Sequence, residues 1–457
     1  MKKEIITKLK KYENFLTYKG GSLIDRSEYE LTATNQSAVI MSPVVNFVKQ
    51  VKLSLRHKLS KNKTHKKDVL FLAYTHSHVN TLAPIVKRMK NNFLVVKRDG
   101  FTGNVAKKLK NNNIKYNDFE GYLTKDSLKN IRKVRKLFKA KYKELLKTGG
   151  FDNQNLSYLF LIYFPEMIRY IEIINNMLSV EKPKLLVLMN EINAIGNIAV
   201  HVAKQKGIKT LCIQHGAMAD VLGFTPVSAD KIAVWGGKSR KALIKKFVPK
   251  DKIVITGAPQ FDNSSKFNVK ITKSIAREIG LDLSKKYVLF TTQNIPLIEE
   301  TVKHLCIAVK SIPGLQLVIK THPAEYSTKD YEKIIKESGV HGILTKKYLY
   351  PLIKGCSAMI TVSSTTGLET LIIGKPLITI NLSGKPDAMP YAESGAAIGV
   401  YNPEDIAPAI KSILENQDVR KELSKKVKLF VYDQCYKMDG KASARISNLI
   451  KKITSHL

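Results

Sequence analysis

A chain of 457 residues is too long for one ordinary hydrophobic core, so two domains of roughly 200 residues are expected. With 44% hydrophobic and 25% charged residues the composition excludes general disorder and an integral membrane class. Its 76 Lys and Arg against 38 Asp and Glu give a formal charge of +38, which favours anionic partners: nucleic acid, an acidic membrane surface or phosphorylated substrates.

The start, M-K-K-E-I-I-T-K-L-K-K, has neither a continuous apolar stretch nor a small-residue cleavage site, so no signal peptide is expected. Residues 1–66 read as a basic, partly helical extension ending in K-L-S-K-N-K-T-H-K-K. Apolar strands then alternate with helical segments: D-V-L-F-L-A from Asp68, F-L-V-V from Phe93, L-L-V-L-M from Leu185, T-L-C-I from Thr210, K-I-A-V-W from Lys231 and I-V-I-T from Ile253. Short continuous apolar runs between helices predict parallel strands covered on both faces. This first domain is placed at 67–262, with a helical insert at about 125–176. In the insert, between Lys125 and Lys147, ten residues are Lys or Arg and two are acidic. Leu128, Ile131, Val134, Leu137 and Phe138 recur there at helical spacing, which predicts an amphipathic basic helix suited to an anionic bilayer or a polyanion. The most apolar run, S-Y-L-F-L-I-Y-F from Ser157, is broken by Pro165 and Glu166, too short for a membrane span of about 18 residues.

A polar stretch, F-D-N-S-S-K-F-N from Phe261, leads into a second domain, 263–430, with strands in Y-V-L-F-T-T, L-Q-L-V-I-K, A-M-I-T-V and P-L-I-T-I. The fold class expected is α/β: two doubly wound, Rossmann-like domains facing a cleft, where open sheets of this kind bind ligands. Residues 431–457 read as a C-terminal helix crossing back to the first domain. Four cysteines, Cys212, Cys306, Cys356 and Cys435, lie far apart without C-x-x-C spacing, which signals neither a zinc site nor a disulfide framework and suits a reducing cytoplasm.

The segment A-M-I-T-V-S-S-T-T-G-L-E reads strand, hydroxyl-rich turn, helix, and puts Ser363, Ser364, Thr365 and Thr366 at a helix start. Orphan amides and hydroxyls there suit phosphate oxygens. Glu369, one turn on, suits ribose hydroxyls or the helix dipole. After L-Q-L-V-I come Lys320, His322 and Pro323, an imidazole on a stiffened turn that can face the same phosphate. In the first domain, Glu191 and His215 each end a strand and are the candidate bases: Glu191 is assigned the proton, His215 a phosphate or acceptor contact. His76 and His78, in Y-T-H-S-H, are expected to line the acceptor side. No D-x-D pair follows a strand, so no metal and no cofactor are expected.

The pieces I-Q-H-G-A-M, T-G-A-P-Q-F-D, K-T-H-P, S-S-T-T-G-L-E, G-K-P and M-D-G-K-A-S-A-R-I together resemble the GT-B enzymes that build cell-surface polymers. The nearest groups are the CDP-glycerol glycerophosphotransferases of teichoic acid synthesis and the capsule and polysialic acid transferases. The resemblance implies an inverting transferase with its nucleotide-activated donor in the second domain and His322 on the donor phosphates. Gly257 in T-G-A-P and Gln293 after Y-V-L-F-T-T complete the expected donor set. Gln260 stands where the glycerophosphotransferases usually carry arginine, and T-V-S-S where they carry D-Y-S-S, which tilts the donor toward a CMP-, CDP- or UDP-linked sugar.

The main expectation is therefore metal-independent transfer of a sugar to a surface polysaccharide or lipid-linked glycan. The alternatives are a CDP-glycerol-type transferase and, second, a non-hydrolysing UDP-N-acetylglucosamine 2-epimerase, which would need several carboxylates converging on the sugar. A nucleotide-sugar or CDP-alcohol donor, a glycan acceptor and an anionic membrane surface are the expected partners. Specific nucleic acid is not, since no RNP pattern, zinc module or helix-turn-helix signature occurs. The expected location is cytoplasmic, with the basic helix able to rest on the inner face of the cell membrane.

Overall fold

The computed structural model describes residues 16–19, 21–23, 66–98, 105–147, 157–218, 221–263, 267, 269–322, 325 and 327–455. Most of the N-terminal extension, and Pro323 among the expected site residues, lie outside them. From the extension a two-stranded antiparallel hairpin is described, β1 (Thr17–Tyr18) and β2 (Gly21–Ser22).

The first domain is built on a seven-stranded, wholly parallel sheet: β3 (Val69–Ala73), β4 (Phe93–Lys97), β5 (Tyr116–Asp118), β6 (Leu185–Leu188), β7 (Lys209–Ile213), β8 (Lys231–Val234) and β9 (Ile253–Ile255). Its spatial order, β5-β4-β3-β6-β7-β8-β9, reverses direction between β3 and β6. The second domain repeats the plan with β10 (Tyr287–Thr291), β11 (Gln316–Lys320), β12 (Gly342–Thr345), β13 (Ala358–Thr361), β14 (Leu377–Ile380) and β15 (Ile398–Val400), in the order β12-β11-β10-β13-β14-β15. Here the reversal falls between β10 and β13. The expected pair of doubly wound domains is what forms. Its cause is visible in the strands, because β3, β6 and β10 are buried at every residue and so need helices on both faces. At such a reversal neighbouring crossovers leave on opposite faces and open a crevice at the strands' carboxyl ends.

The insert forms α3 (Lys125–Lys147) and α4 (Phe164–Glu181), after the shorter helices α1 (His76–Val86) and α2 (Val105–Asn111). Helix α4 is buried along its length, and α3 packs on it as an outer layer through Ile131, Phe138 and Leu145. Among the described residues no helix is long and apolar enough to cross a membrane.

The chain's last helices tie the domains together. Residues Gln417–Cys435 pack against helix Gly237–Lys245 of the first domain. Helix Ala442–Ser455 then sends Ile446 and Ile450 into the first domain's core beside Val69, Leu185 and Val187. Two motifs of the sequence make this crossing. The Asp262 carboxylate accepts from the amides of Ala442 at 2.9 Å and Ser443 at 2.6 Å, and from the Ser443 hydroxyl, so it caps the crossing helix. Arg445 donates to the Thr256 carbonyl at 2.7 Å and pairs with Asp439 at 2.9 Å. Gly257, at φ +87°, leaves the room: a Cβ there would stand 3.0 Å from both the Ala442 Cβ and Arg445 Nη2. Gly257 therefore serves this clasp. Asp262→Ala should lower the melting temperature, equivalent to about 1–2 kcal/mol for a lost helix cap, and Asp262→Asn should recover most of it. Equal melting of wild type and Asp262→Ala in a thermal scan would show that the clasp carries no stability.

Candidate active site

At the first domain's reversal, the carboxyl ends of β3, β6 and β7 are stitched together by their own side chains. Tyr74, just past β3, donates its hydroxyl to the Asn190 carbonyl at 2.9 Å and accepts from the Asn193 amide at 2.8 Å. Asn193 also caps the helix after β6, accepting from the Gly196 amide at 2.9 Å. His215, past β7, places Nδ1 2.5 Å from the Met189 carbonyl. A carbonyl only accepts, so Nδ1 carries the proton and the neutral ring keeps a lone pair on Nε2. Burial pulls the His215 pKa down and the bond to Met189 partly offsets this, which favours the neutral ring. Gln214 is the scaffold: its side-chain oxygen accepts from the Trp235 amide at 2.8 Å, and its carbonyl accepts from the Trp235 indole at 2.8 Å. Ala217, two residues past His215, packs against the second domain's core, so this loop sits at the junction of the domains.

The structure separates the other first-domain candidates. His78 is buried, edge-on to the rings of Tyr74 and His215 with centroids 4.4 and 5.0 Å away. Burial, and then the proximity of His215, hold its pKa well below the usual imidazole value. It backs His215 rather than lining the cleft, which corrects its assignment to the acceptor. His76, the first residue of α1, is exposed. Glu191 is corrected as the base. At 3% exposure it is turned into the domain, where Oε2 accepts from the amides of Ser228 at 2.8 Å and Ala229 at 2.6 Å. Its Oε1 is buried with no partner in hydrogen-bond geometry, the Cys212 thiol lying close to the carboxylate, and burial pushes its pKa up to about 7. A carboxylate fixed there holds the loop of Ser228 and Ala229 under the domain.

At the second domain's reversal the spatial order is β11-β10-β13, so the residues after β10 lie between His322 and the hydroxyl-rich turn. They bridge the two. The His322 amide donates to the Thr292 hydroxyl at 2.9 Å and to Glu325 Oε2 at 2.8 Å, and its ring is exposed. Gln293 accepts from the Ser363 amide at 2.8 Å, and its amide nitrogen lies 3.3 Å from the Ser363 hydroxyl. The expectation that the two loops face each other directly across one phosphate is corrected, since strands two apart are separated by roughly 10 Å.

The helix start Thr365–Ile373 is also more occupied than the sequence suggests. Ser364 caps it, accepting from the Thr366 amide at 3.2 Å. The Leu368 amide donates to the Tyr391 hydroxyl at 3.0 Å, which in turn donates to the Ser364 carbonyl at 3.0 Å. The Thr366 hydroxyl meets Thr291 at 3.1 Å. Of the four hydroxyl residues only Thr365 is exposed, while Ser363 and Gln293 are half-buried beside it. Lys320 is corrected as a phosphate ligand. It is 9% exposed, its ammonium donates to the Thr321 carbonyl at 3.1 Å, and burial lowers its pKa. Glu369 accepts from the Tyr350 hydroxyl at 2.8 Å. Thr292, Glu325, Tyr391 and Asn193 were not named from the sequence, and each acts through a partner that no local spacing announces. Among the described residues no group of three or more His, Cys, Asp or Glu is placed to hold a metal ion.

Residues 225–451, which contain the whole second-domain site and the clasp, match the sequence profile of the UDP-N-acetylglucosamine 2-epimerase family. A search of curated protein sequences finds no match. Among solved structures the chain is similar to the Neisseria meningitidis UDP-GlcNAc 2-epimerase bound to UDP-GlcNAc. That likeness has 16% identity and a TM-score of 0.56, over 84% of this chain and 99% of that one. It is also similar to a Rickettsia africae glycosyltransferase (11% identity, TM-score 0.54, 85% and 100% covered). A third is Anabaena Alr3699/HepE in complex with UDP and glucose (12%, 0.51, 86% and 100%). The profile match covers just under half of the chain, and the structural likenesses show its fold, that of the two-domain GT-B-like enzymes. The expected GT-B fold is thereby borne out. The expectation of sugar transfer to a surface polymer is overturned, because the profile matched over the second domain is that of the 2-epimerases. The narrower likeness to teichoic acid and capsule transferases is not among what these matches show.

Proposed function

We propose that this protein is a 2-epimerase acting on a UDP-N-acetylhexosamine. The observation that carries the reading is the profile match over residues 225–451. Inversion at C2 breaks a carbon–hydrogen bond whose electron pair no neighbouring carbonyl can accept, so the pair must form a C1–C2 double bond as the C1–O bond to UDP breaks. Return of the proton to the opposite face as UDP re-adds at C1 completes the inversion, which therefore needs a proton-carrying group at the sugar and a firm hold on the departing diphosphate. The two reversal points divide these tasks. His215, neutral and with Nε2 unshared among the described residues, stands at the domain junction where a sugar would lie. His322, Thr365, Gln293 and Ser363 offer donors to the diphosphate across three neighbouring strand ends. The carboxylates expected of such an enzyme are not supplied by Glu191, so the proton work falls to the imidazole.

Incubation with UDP-N-acetylglucosamine in deuterium oxide tests this. Proton exchange at C2 is expected to give the C2 epimer carrying deuterium at that carbon, read by proton NMR. Recovery of unlabelled, unchanged UDP-N-acetylglucosamine at stoichiometric enzyme would overturn the proposal.

A further inference from the structure

The outer face of α3 lies apart from the nucleotide-sugar site. At about 3.6 residues per turn, Ile131, Phe138 and Leu145 fall on one side and are buried. On the opposite side, within roughly 120° of arc, stand Lys129, Arg132, Lys133, Lys136, Lys139 and Lys143, continued by Lys125 and Lys147 at the two ends and interrupted only by Ala140. All of these are exposed, and none takes part in an ion pair among the described residues. The ion pair of Lys141 with Glu144 lies off this stripe. A 23-residue helix is about 35 Å long, so the stripe is a straight cationic edge of that length. Such self-repulsion is kept only at a cost to the isolated fold. Apolar side chains border it: Leu137 and Leu146 are 49% and 40% exposed, and Tyr158 and Leu161, just before and on the π-helical turn packed against α3, are 43% and 39% exposed.

We propose that this face docks the protein on an anionic lipid bilayer. A planar layer of acidic headgroups can meet every cation of a straight stripe at once, while the bordering leucines and tyrosine enter the headgroup boundary. A nucleic acid would use the cations but has no place for the bordering leucines.

Co-sedimentation of the full chain with vesicles of phosphatidylcholine alone, and of phosphatidylcholine mixed equally with phosphatidylglycerol, tests the proposal. Retention is expected only on the anionic vesicles and should weaken as salt rises. The triple variant Lys129→Ala, Lys136→Ala, Lys143→Ala should bind them roughly a hundredfold more weakly, at about fivefold per lysine, with an unchanged melting temperature. Leu137→Ser with Leu146→Ser should weaken vesicle binding and leave any binding to duplex DNA unchanged. No retention on anionic vesicles, retention indifferent to the lysine variant, or a leucine variant that binds vesicles like wild type would each overturn it. The last result together with tight DNA binding would assign the stripe to nucleic acid.

Discussion

Replacing His215 by glutamine is expected to lower turnover on UDP-N-acetylglucosamine by roughly a hundredfold to ten-thousandfold, with UDP binding nearly unchanged. Glutamine can still donate to the Met189 carbonyl, so the loop keeps its anchor while the proton-accepting nitrogen is lost. The pH profile separates this role from a positional one. Burial lowers the His215 pKa below the ordinary imidazole value, so the neutral, accepting ring persists as pH falls past about 6.5. The acid limb of kcat/KM should therefore have its midpoint below that value. Glu191, whose pKa is pushed up to about 7, would instead place the limb near 7. A limb near 7 that disappears in Glu191→Gln, with His215→Gln retaining near-normal turnover, would return the proton to the carboxylate.

The apolar runs of the sequence found the interior strands because strands buried on both faces are written as unbroken hydrophobic stretches. In the two large sheets the three that escaped, β5, β12 and β15, are all outermost and three or four residues long, and the short hairpin β1–β2 in the extension escaped as well. An edge strand is covered less completely, so Y-N-D, G-I-L-T and I-G-V carry little hydrophobic signal. The positions of the candidate residues were legible for a related reason: strand ends at a sheet reversal collect at one crevice whatever their side chains. Side-chain direction was not legible. Whether Ser363 offers its amide to a ligand depends on Gln293, 70 residues away, and whether the helix start is open depends on Tyr391. T-G-A-P-Q-F-D and M-D-G-K-A-S-A-R-I looked like ligand motifs because they hold glycine and charge. They pair with each other across 180 residues, and no spacing within either one encodes that.

Glu191 supplies the largest expected effect on stability, and its sign follows from its burial. A folded-state pKa of about 7, against an ordinary value of 4.5, means that the folded protein holds a proton the unfolded chain releases between those two values. Stability from this group is therefore fully present below about pH 4.5, declines as pH rises toward 7, and is lost above it. Lys204 and Lys252 and the amides of Ser228 and Ala229 pull the pKa down, yet burial outweighs them. Glutamine resembles the protonated acid in shape and cannot ionise. Its oxygen can accept from the two amides while its nitrogen takes the place of the unpartnered Oε1. Glu191→Gln should thus melt close to wild type at pH 5 and above it at pH 8, with a difference growing by up to about 3 kcal/mol across that range. His78 and His215, held neutral by burial, give the opposite slope below about pH 6.5 in wild type and variant alike, so they cancel from the difference. A difference independent of pH would mean that Glu191 is already ionised at pH 5, stabilised by the two amides more than its burial opposes.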